Sequence, residues 1–220
     1  FRRVLFRSEL PRTKERLTTL GFGPDVLVIK HMNFSVIDEL VAEAGFFNFV
    51  LADLGVSSMQ IDNPERGFSL KADGPLDLRL NPASGITAAE LLKTMTQQKL
   101  EDMLLENADE PYAESIADVI AMRIKKGERI ETTNQFKEII KEALNFLPEN
   151  GRVEEIKKSC RRCFQALRIE VNNEFGVLEK FLEKLPLARY PTTKTIVTPE
   201  YMLPGGRSRF FRAIFKGMGG

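Results

Sequence analysis

Apolar positions in the first part of the chain fall into short blocks whose spacing changes from one block to the next. Residues 46–52 are apolar throughout except for Asn48, and the run stops at Asp53. A short unbroken apolar run with aromatic and β-branched members predicts a strand buried on both faces. Val26–Ile29 is a second, shorter run of this kind. Between them, Ile37, Leu40 and Val41 follow helical spacing within Val36–Ala44, and Gly45 closes that segment. Upstream, Arg12–Leu20 reads as the end of an amphipathic helix, broken by Gly21-Phe22-Gly23-Pro24. The order helix, strand, helix, strand is that of a parallel sheet flanked by helices.

After Pro82 the rhythm becomes helix after helix. Thr87-Ala88-Ala89-Glu90 and Thr132-Thr133-Asn134-Gln135 both have capping-box spacing, in which the first hydroxyl and the fourth side chain satisfy each other's backbone amides. Leu100, Met103 and Leu104 share a face, as do Ile116, Val119, Ile120 and Ile124, and then Phe136, Ile139, Ile140 and Ala143. Phe164, Leu167, Val171, Phe175 and Leu178 predict one long helix reaching Leu185, with Arg168, Asn172 and Glu174 off its apolar stripe. Thr195-Ile196-Val197 suits an edge strand, and Arg207–Phe215 a final strand or a basic tail. The expected fold class is α/β, with an all-helical domain at 83–175 inserted into an α/β domain made of 9–82 and 176–220.

Composition narrows the picture only a little. The chain has 220 residues, 43% hydrophobic and 29% charged, enough for one domain and a modest insertion. A net charge of +1 neither favours nor excludes nucleic acid, because clustering on one face decides that. Cys160 and Cys163 form a lone C-x-x-C in a basic helical segment, without the second pair or the histidines of a zinc site. His31 is the sole histidine and is expected as a surface residue; no multi-His metal site can be assembled, and no metal site is expected. No run approaches the roughly eighteen apolar residues of a membrane span, and no signal peptide is visible. A cytoplasmic protein is expected.

The segment after the main apolar run is the most informative. It reads Asp53-Leu54-Gly55-Val56-Ser57-Ser58-Met59-Gln60, then Glu65-Arg66-Gly67-Phe68-Ser69, then Asp73-Gly74-Pro75-Leu76-Asp77-Leu78-Arg79. Ligands in open α/β sheets sit at the carboxyl ends of strands, and long polar loops in compact domains are usually functional. Far downstream comes Phe164-Gln165-Ala166-Leu167-Arg168-Ile169-Glu170-Val171-Asn172-Asn173-Glu174. Together these blocks closely resemble the bacterial cytosine-N4 methyltransferases of 16S ribosomal RNA, also called the MraW family. The resemblance runs from Pro24 to Glu183 and more faintly to Lys216.

The resemblance implies a Rossmann-like class I methyltransferase sheet and S-adenosyl-L-methionine as cofactor. It implies as substrate a cytidine N4 amine in the decoding region of 16S rRNA, on the small ribosomal subunit. Methyl transfer is an in-line displacement, so such an enzyme mainly holds donor and acceptor in near-attack geometry. The cytosine amine is a poor nucleophile, and an acceptor near its protons helps as the nitrogen gains charge. Asp53 is placed either to hold the cofactor or to face that amine. The resemblance favours cofactor contact, together with Gln60 and with Phe34, whose ring would lie against the adenine; without the resemblance Phe34 reads as a core aromatic. No catalytic residue is assigned. Arg66, Arg79 and Arg168 are candidates for neutralising phosphates, with Arg161, Arg162, Arg207, Arg209 and Arg212 behind them; Arg168 is equally placed for a structural ion pair with a nearby carboxylate, and Lys157-Lys158 reads as a solvated face.

The chain also departs from the family pattern. The first strand with its Gly-rich turn, the acidic residue that takes the ribose hydroxyls, and the late G-G-R-L and S-F-H-S-L-E-D segments have no counterpart here. Arg2-Arg3-Val4-Leu5-Phe6-Arg7-Ser8 reads like translated sequencing adapter, so residues 1–8 are expected to be non-native. The expectation is a truncated member, inactive as it stands and weak in cofactor binding. Alternatives are a non-catalytic RNA-binding or interaction fragment, and an amino methyltransferase acting on another nucleic acid. Against the latter, the chain lacks the D/N/S-P-P-Y/F tetrad of DNA amino methyltransferases.

Overall fold

The computed structural model describes residues 9–56 and 58–199, which form two compact units. The first holds 9–55 and 176–199, and the second 56–175. The adapter-like residues 1–8 and the basic segment Arg207–Phe215 lie outside the described residues.

The first unit is a mixed helix and strand structure with a small parallel sheet. Strand β1 (Phe47–Leu54) pairs in parallel with β2 (Arg189–Pro199), and among the described residues these two are the whole sheet. Val50 lies opposite Thr195 and Asp53 opposite Thr198, with an irregularity between Phe47 and Phe49. Helix α1 (Glu9–Thr19) opens the unit. A 3-10 turn at Phe34–Leu40 follows, capped by Asn33, whose Oδ1 accepts the Ser35 amide at 3.0 Å. It runs into the single-turn α2 (Val41–Ala44), which Gly45 ends at φ +70°. Near the carboxyl end, α9 (Glu174–Lys184) buries Leu178, Phe181 and Leu182, and a 3-10 turn at Leu185–Ala188 leads directly into β2. Lys184 ties this end to the early turn through Asp38 at 3.0 Å.

Two expectations for this unit fail. Val26–Ile29 is not a strand: Val26 and Leu27 both donate to the Gly23 carbonyl, at 3.0 and 2.9 Å, which closes a turn instead. A strand exists only against a partner ladder, and among the described residues none pairs with this run. Nor is β1 buried on both faces. Val50 is buried, but Phe49 and Leu51 are 53% and 42% exposed, since a single neighbouring strand cannot cover them.

The second unit is helical. It contains α3 (Ser58–Ile61), α4 (Ala88–Thr94), α5 (Gln97–Ala108), α6 (Ala113–Lys125), α7 (Thr133–Ala143) and α8 (Glu149–Asn172). Both capping boxes form as the sequence predicts, Thr87 with Glu90 and Thr132 with Gln135. Helix α5 packs on α6 and α8, and α7 on α6 and α8. Leu100, Leu104, Ile116, Ile120, Phe136, Ile140 and Leu167 are fully buried between them. Phe136 meets Phe164 with ring centroids 5.2 Å apart. The long helix expected through Leu185 instead breaks at Asn173, whose left-handed φ of +46° caps α8. Asparagine tolerates that conformation better than most residues, so the apolar stripe continues in register while the backbone does not.

The sequence pattern starts the helical part at 83, whereas the contacts start this unit at Val56. The difference lies in residues 64–80, which have almost no regular structure yet bury Leu76 and Leu78 in the same core as the helices. Among the described residues no helix is long and apolar enough to cross a membrane.

Truncating Phe136 at the centre of this core should lower the unfolding free energy by about 3–5 kcal/mol. Urea denaturation of Phe136→Ala followed by helical circular dichroism measures it; a loss under 1 kcal/mol would mean the core is not packed as described.

Candidate functional site

Strand β1 delivers Asp53 to its carboxyl end, where the side chain is exposed and the chain turns away through Gly55. Phe34 begins the 3-10 turn of the same unit, half-buried, its ring edge-on to Phe181 with centroids 5.4 Å apart. One side of the ring is therefore core packing. Gln60 belongs to the second unit, on the single turn of α3, and is buried.

Beyond α3 the chain makes a 3-10 turn at Pro64–Arg66 and folds back on itself. Two glycines allow that return. Gly67 has φ +74°, and a Cβ there would strike the Pro75 carbonyl oxygen; at Gly74 a Cβ would strike the Pro64 carbonyl. The two arms of the loop therefore touch backbone to backbone, which only glycine permits.

Almost every polar residue of Asp73–Arg79 has a specific partner. The Asp73 carboxylate accepts the Asn134 amide at 2.9 Å and the Thr133 hydroxyl at 3.1 Å, an additional cap for α7. Gly74 accepts the Thr133 amide, and the Leu76 amide donates to Glu131. Asp77 binds the Arg79 guanidinium in bidentate fashion, at 2.7 and 2.8 Å. Burial pushes Asp77 up, but the Arg79 side chain, the Arg79 amide and the charges of Arg79 and Arg66 outweigh it, so the carboxyl sits below its ordinary range. Leu78, almost fully buried, has a left-handed φ of +60°. Leucine rarely adopts that backbone, and the surroundings must impose it. They do so through α8: the Asn172 amide donates to the Leu78 carbonyl at 2.8 Å and accepts the Leu80 amide at 2.7 Å.

The structure brings Arg66 and Arg79 together. Arg66 Nη2 donates to the Arg79 and Leu80 carbonyls at 2.7 and 3.2 Å, and its guanidinium lies 5.9 Å from the Phe68 ring centroid. Burial lowers its proton affinity, with Asp77 opposing and Arg79 adding to that effect. Arg168 pairs with Glu174 at 2.8 Å, both side chains largely buried. All three candidate arginines thus hold intramolecular partners. In the basic cluster, Lys157 and Lys158 pair with Glu154 and Glu155, and Arg162 reaches the buried Glu110 at 2.8 Å. Cys160 and Cys163 are buried thiols, Cys160 pushed up to about 11 by burial. Sequence reasoning passed over Asn172 and Asp77 as partners. For Asn172 the available signal was its place one turn after Arg168, off the apolar stripe of α8.

A family model described as the MraW methylase family matches residues 7–197. The chain belongs to that family. It is 65% identical over 178 residues to ribosomal RNA small subunit methyltransferase H 2 of Alkaliphilus metalliredigens, covering 81% of this chain and 51% of that protein. Ribosomal RNA small subunit methyltransferase H 1 of Lachnoclostridium phytofermentans is 62% identical over 178 residues, with 81% and 49% covered. The Acholeplasma laidlawii methyltransferase H 2 is 44% identical over 208 residues, with 94% and 59% covered. The chain spans about half the length of the curated relatives first matched. Both blocks of the MraW pattern fall inside the matched region, and the Asn172 bridge joins them physically.

The depressed Asp77 carboxyl has a pH signature. Its folded value lies below the unfolded one, so its contribution is fully present above the unfolded carboxylate range near ~3.9 and is lost as pH falls through the folded value. Stability measured from pH 6 down to 2 should therefore fall less steeply below about pH 4 in Asp77→Asn than in the parent chain; parallel acid limbs would contradict the assignment.

Proposed function

We propose that the protein to which this chain belongs transfers a methyl group from S-adenosyl-L-methionine to the N4 amine of a cytidine in the decoding region of 16S rRNA, on the small ribosomal subunit in the cytoplasm. The observation that carries the reading is the placement of Asp53 at the carboxyl end of a parallel strand, within a chain of the MraW methylase family. That strand end is where open α/β sheets receive ligands. In this reading the first unit is part of the methyltransferase α/β domain, and the helical unit is an insertion in it.

Asp53 and Phe34, in the first unit, and Gln60, in the second, are each assigned to cofactor binding. Asp53 is suited to take a polar group of the cofactor as a charged hydrogen-bond acceptor, and Phe34, braced by Phe181, to lie against the adenine. The cofactor supplies the activated methyl group; the chain's part is to hold it in line with the incoming amine. Arg66 and Arg79 enter this reading through their effect on the loop that follows Gln60, and Arg168 through its pair with Glu174. Their charges already serve Asp77, backbone carbonyls and Glu174, which favours these roles over direct phosphate contact.

The test uses the full-length protein. Asp53→Ala should weaken S-adenosylmethionine binding about ten- to a hundredfold by titration calorimetry, the range expected for losing one hydrogen bond to a charged group. Ribosomal RNA from a strain deleted for the gene should lack the N4-methylcytidine by mass spectrometry. Full methylation in that strain would end the proposal, and RNA binding without methyl transfer by the intact protein would favour a non-catalytic role.

A further inference from the structure

We infer that Asn172 is a positioning residue for the cofactor site, acting at a distance through Arg66 on Gln60. This rests on the assignment of Gln60 to that site. Each link lies within the second unit. The Asn172 side chain pins both the Leu78 carbonyl and the Leu80 amide, and its Nδ2 also donates to the Arg168 carbonyl at 2.8 Å, which fixes it to its own helix. Bridging 78 and 80 in this way holds the left-handed turn at Leu78. That turn presents the Arg79 and Leu80 carbonyls side by side, and both accept from Nη2 of the buried Arg66. Arg66 closes the 3-10 turn that packs against α3, the single turn that carries Gln60.

The geometry gives this path a physical basis beyond proximity. A single helical turn has too few internal hydrogen bonds to hold itself. The position of Gln60 therefore depends on what α3 packs on, and the Arg66 turn is one such neighbour. Arg66 in turn is oriented by two carbonyls that a strained residue sets, and strain persists only where the surroundings over-determine it. The α4 amides of Ala88 and Ala89 hold Asp77 and Leu76 just before Leu78, and Asn172 holds its far side, bonding both Leu78 and Leu80. Leucine at φ +60° relaxes once the bridge is lost, and the two carbonyls then part.

A double-mutant cycle in the full-length protein tests this, read as S-adenosylmethionine affinity under conditions where every variant remains folded by circular dichroism. Asn172→Ala should weaken binding about three- to tenfold, the scale of mutations that act through an intervening element. In a Gln60→Ala background the same substitution should have almost no further effect, because residues acting through one another are non-additive. A merely structural Asn172 would leave affinity unchanged in folded protein, or weaken it equally in both backgrounds, and either result overturns the inference. If Gln60→Ala alone leaves affinity unchanged, the assignment of Gln60 fails first, so the two failures are distinguishable. Hydrogen exchange in the 220-residue chain gives an independent readout. The Leu80 amide should exchange at least about tenfold faster in Asn172→Ala while amides of α5 and α7 keep their protection, since local opening is set by local bonding; an unchanged Leu80 rate would also overturn the clamp.

Discussion

A segment without regular structure that packs among helices must find a partner for each backbone amide and carbonyl it buries. Residues 64–80 face that demand in the second unit, and the surrounding structure is built to meet it. Thr133 and Glu131 at the start of α7, Ala88 and Ala89 at the start of α4, and Asn172 near the end of α8 each bond backbone of this loop. The same bonds fix the helix termini, whose first amides otherwise lack acceptors. Loop and helices therefore complete one another's hydrogen bonding, and neither is a passive support for the other.

Charge follows the same logic. Glu110 is wholly buried but accepts from Ser159, Arg162 and the Tyr112 amide. Arg168 and Glu174 bracket the end of α8. Buried ion pairs of this kind add little net stability over apolar packing but penalise arrangements that leave one partner alone. The Glu110–Arg162 pair ties α8 to the turn between α5 and α6. An arginine near a nucleic-acid-like motif is easily taken for a phosphate ligand, and here the carboxylate beside it in space gives the simpler account of its place.

The helical architecture was largely legible because capping boxes and apolar stripes are local signals. Thr87, Thr132 and the Phe136 stripe mark their elements from a few residues each. The misreadings share a cause, which is dependence on distant partners. Val26–Ile29 carries strand-forming residues, yet strand formation needs a neighbour that the residues themselves cannot reveal. The 164–185 stripe conceals the break at Asn173 because side-chain spacing continues across a change in backbone. At the candidate site, the family resemblance singled out Phe34, Asp53 and Gln60, but nothing local showed Phe181 behind the Phe34 ring. The motif around Asp77 read as chemistry because it is polar and free of regular structure. The Asp77–Arg79 pair is local, but that Asp73 serves Asn134 and Thr133, and that Asn172 holds Leu78, was visible only once chain segments about sixty to a hundred residues apart lay together.

The parallel pairing of β1 with β2 also has a temporal consequence. Its register joins residues such as Val50 and Thr195, with the whole second unit in the intervening chain. Loop closure of that length is entropically disfavoured until much of the intervening chain is ordered, whereas the second unit includes pairs of consecutive helices, α5 with α6 and α6 with α7. Sequence separation thus favours ordering of the helical unit before the sheet. During synthesis β1 leaves the ribosome long before β2 exists. Over that interval the β1 edge that β2 will cover, with Phe49 and Leu51 beside it, is open to wrong partners.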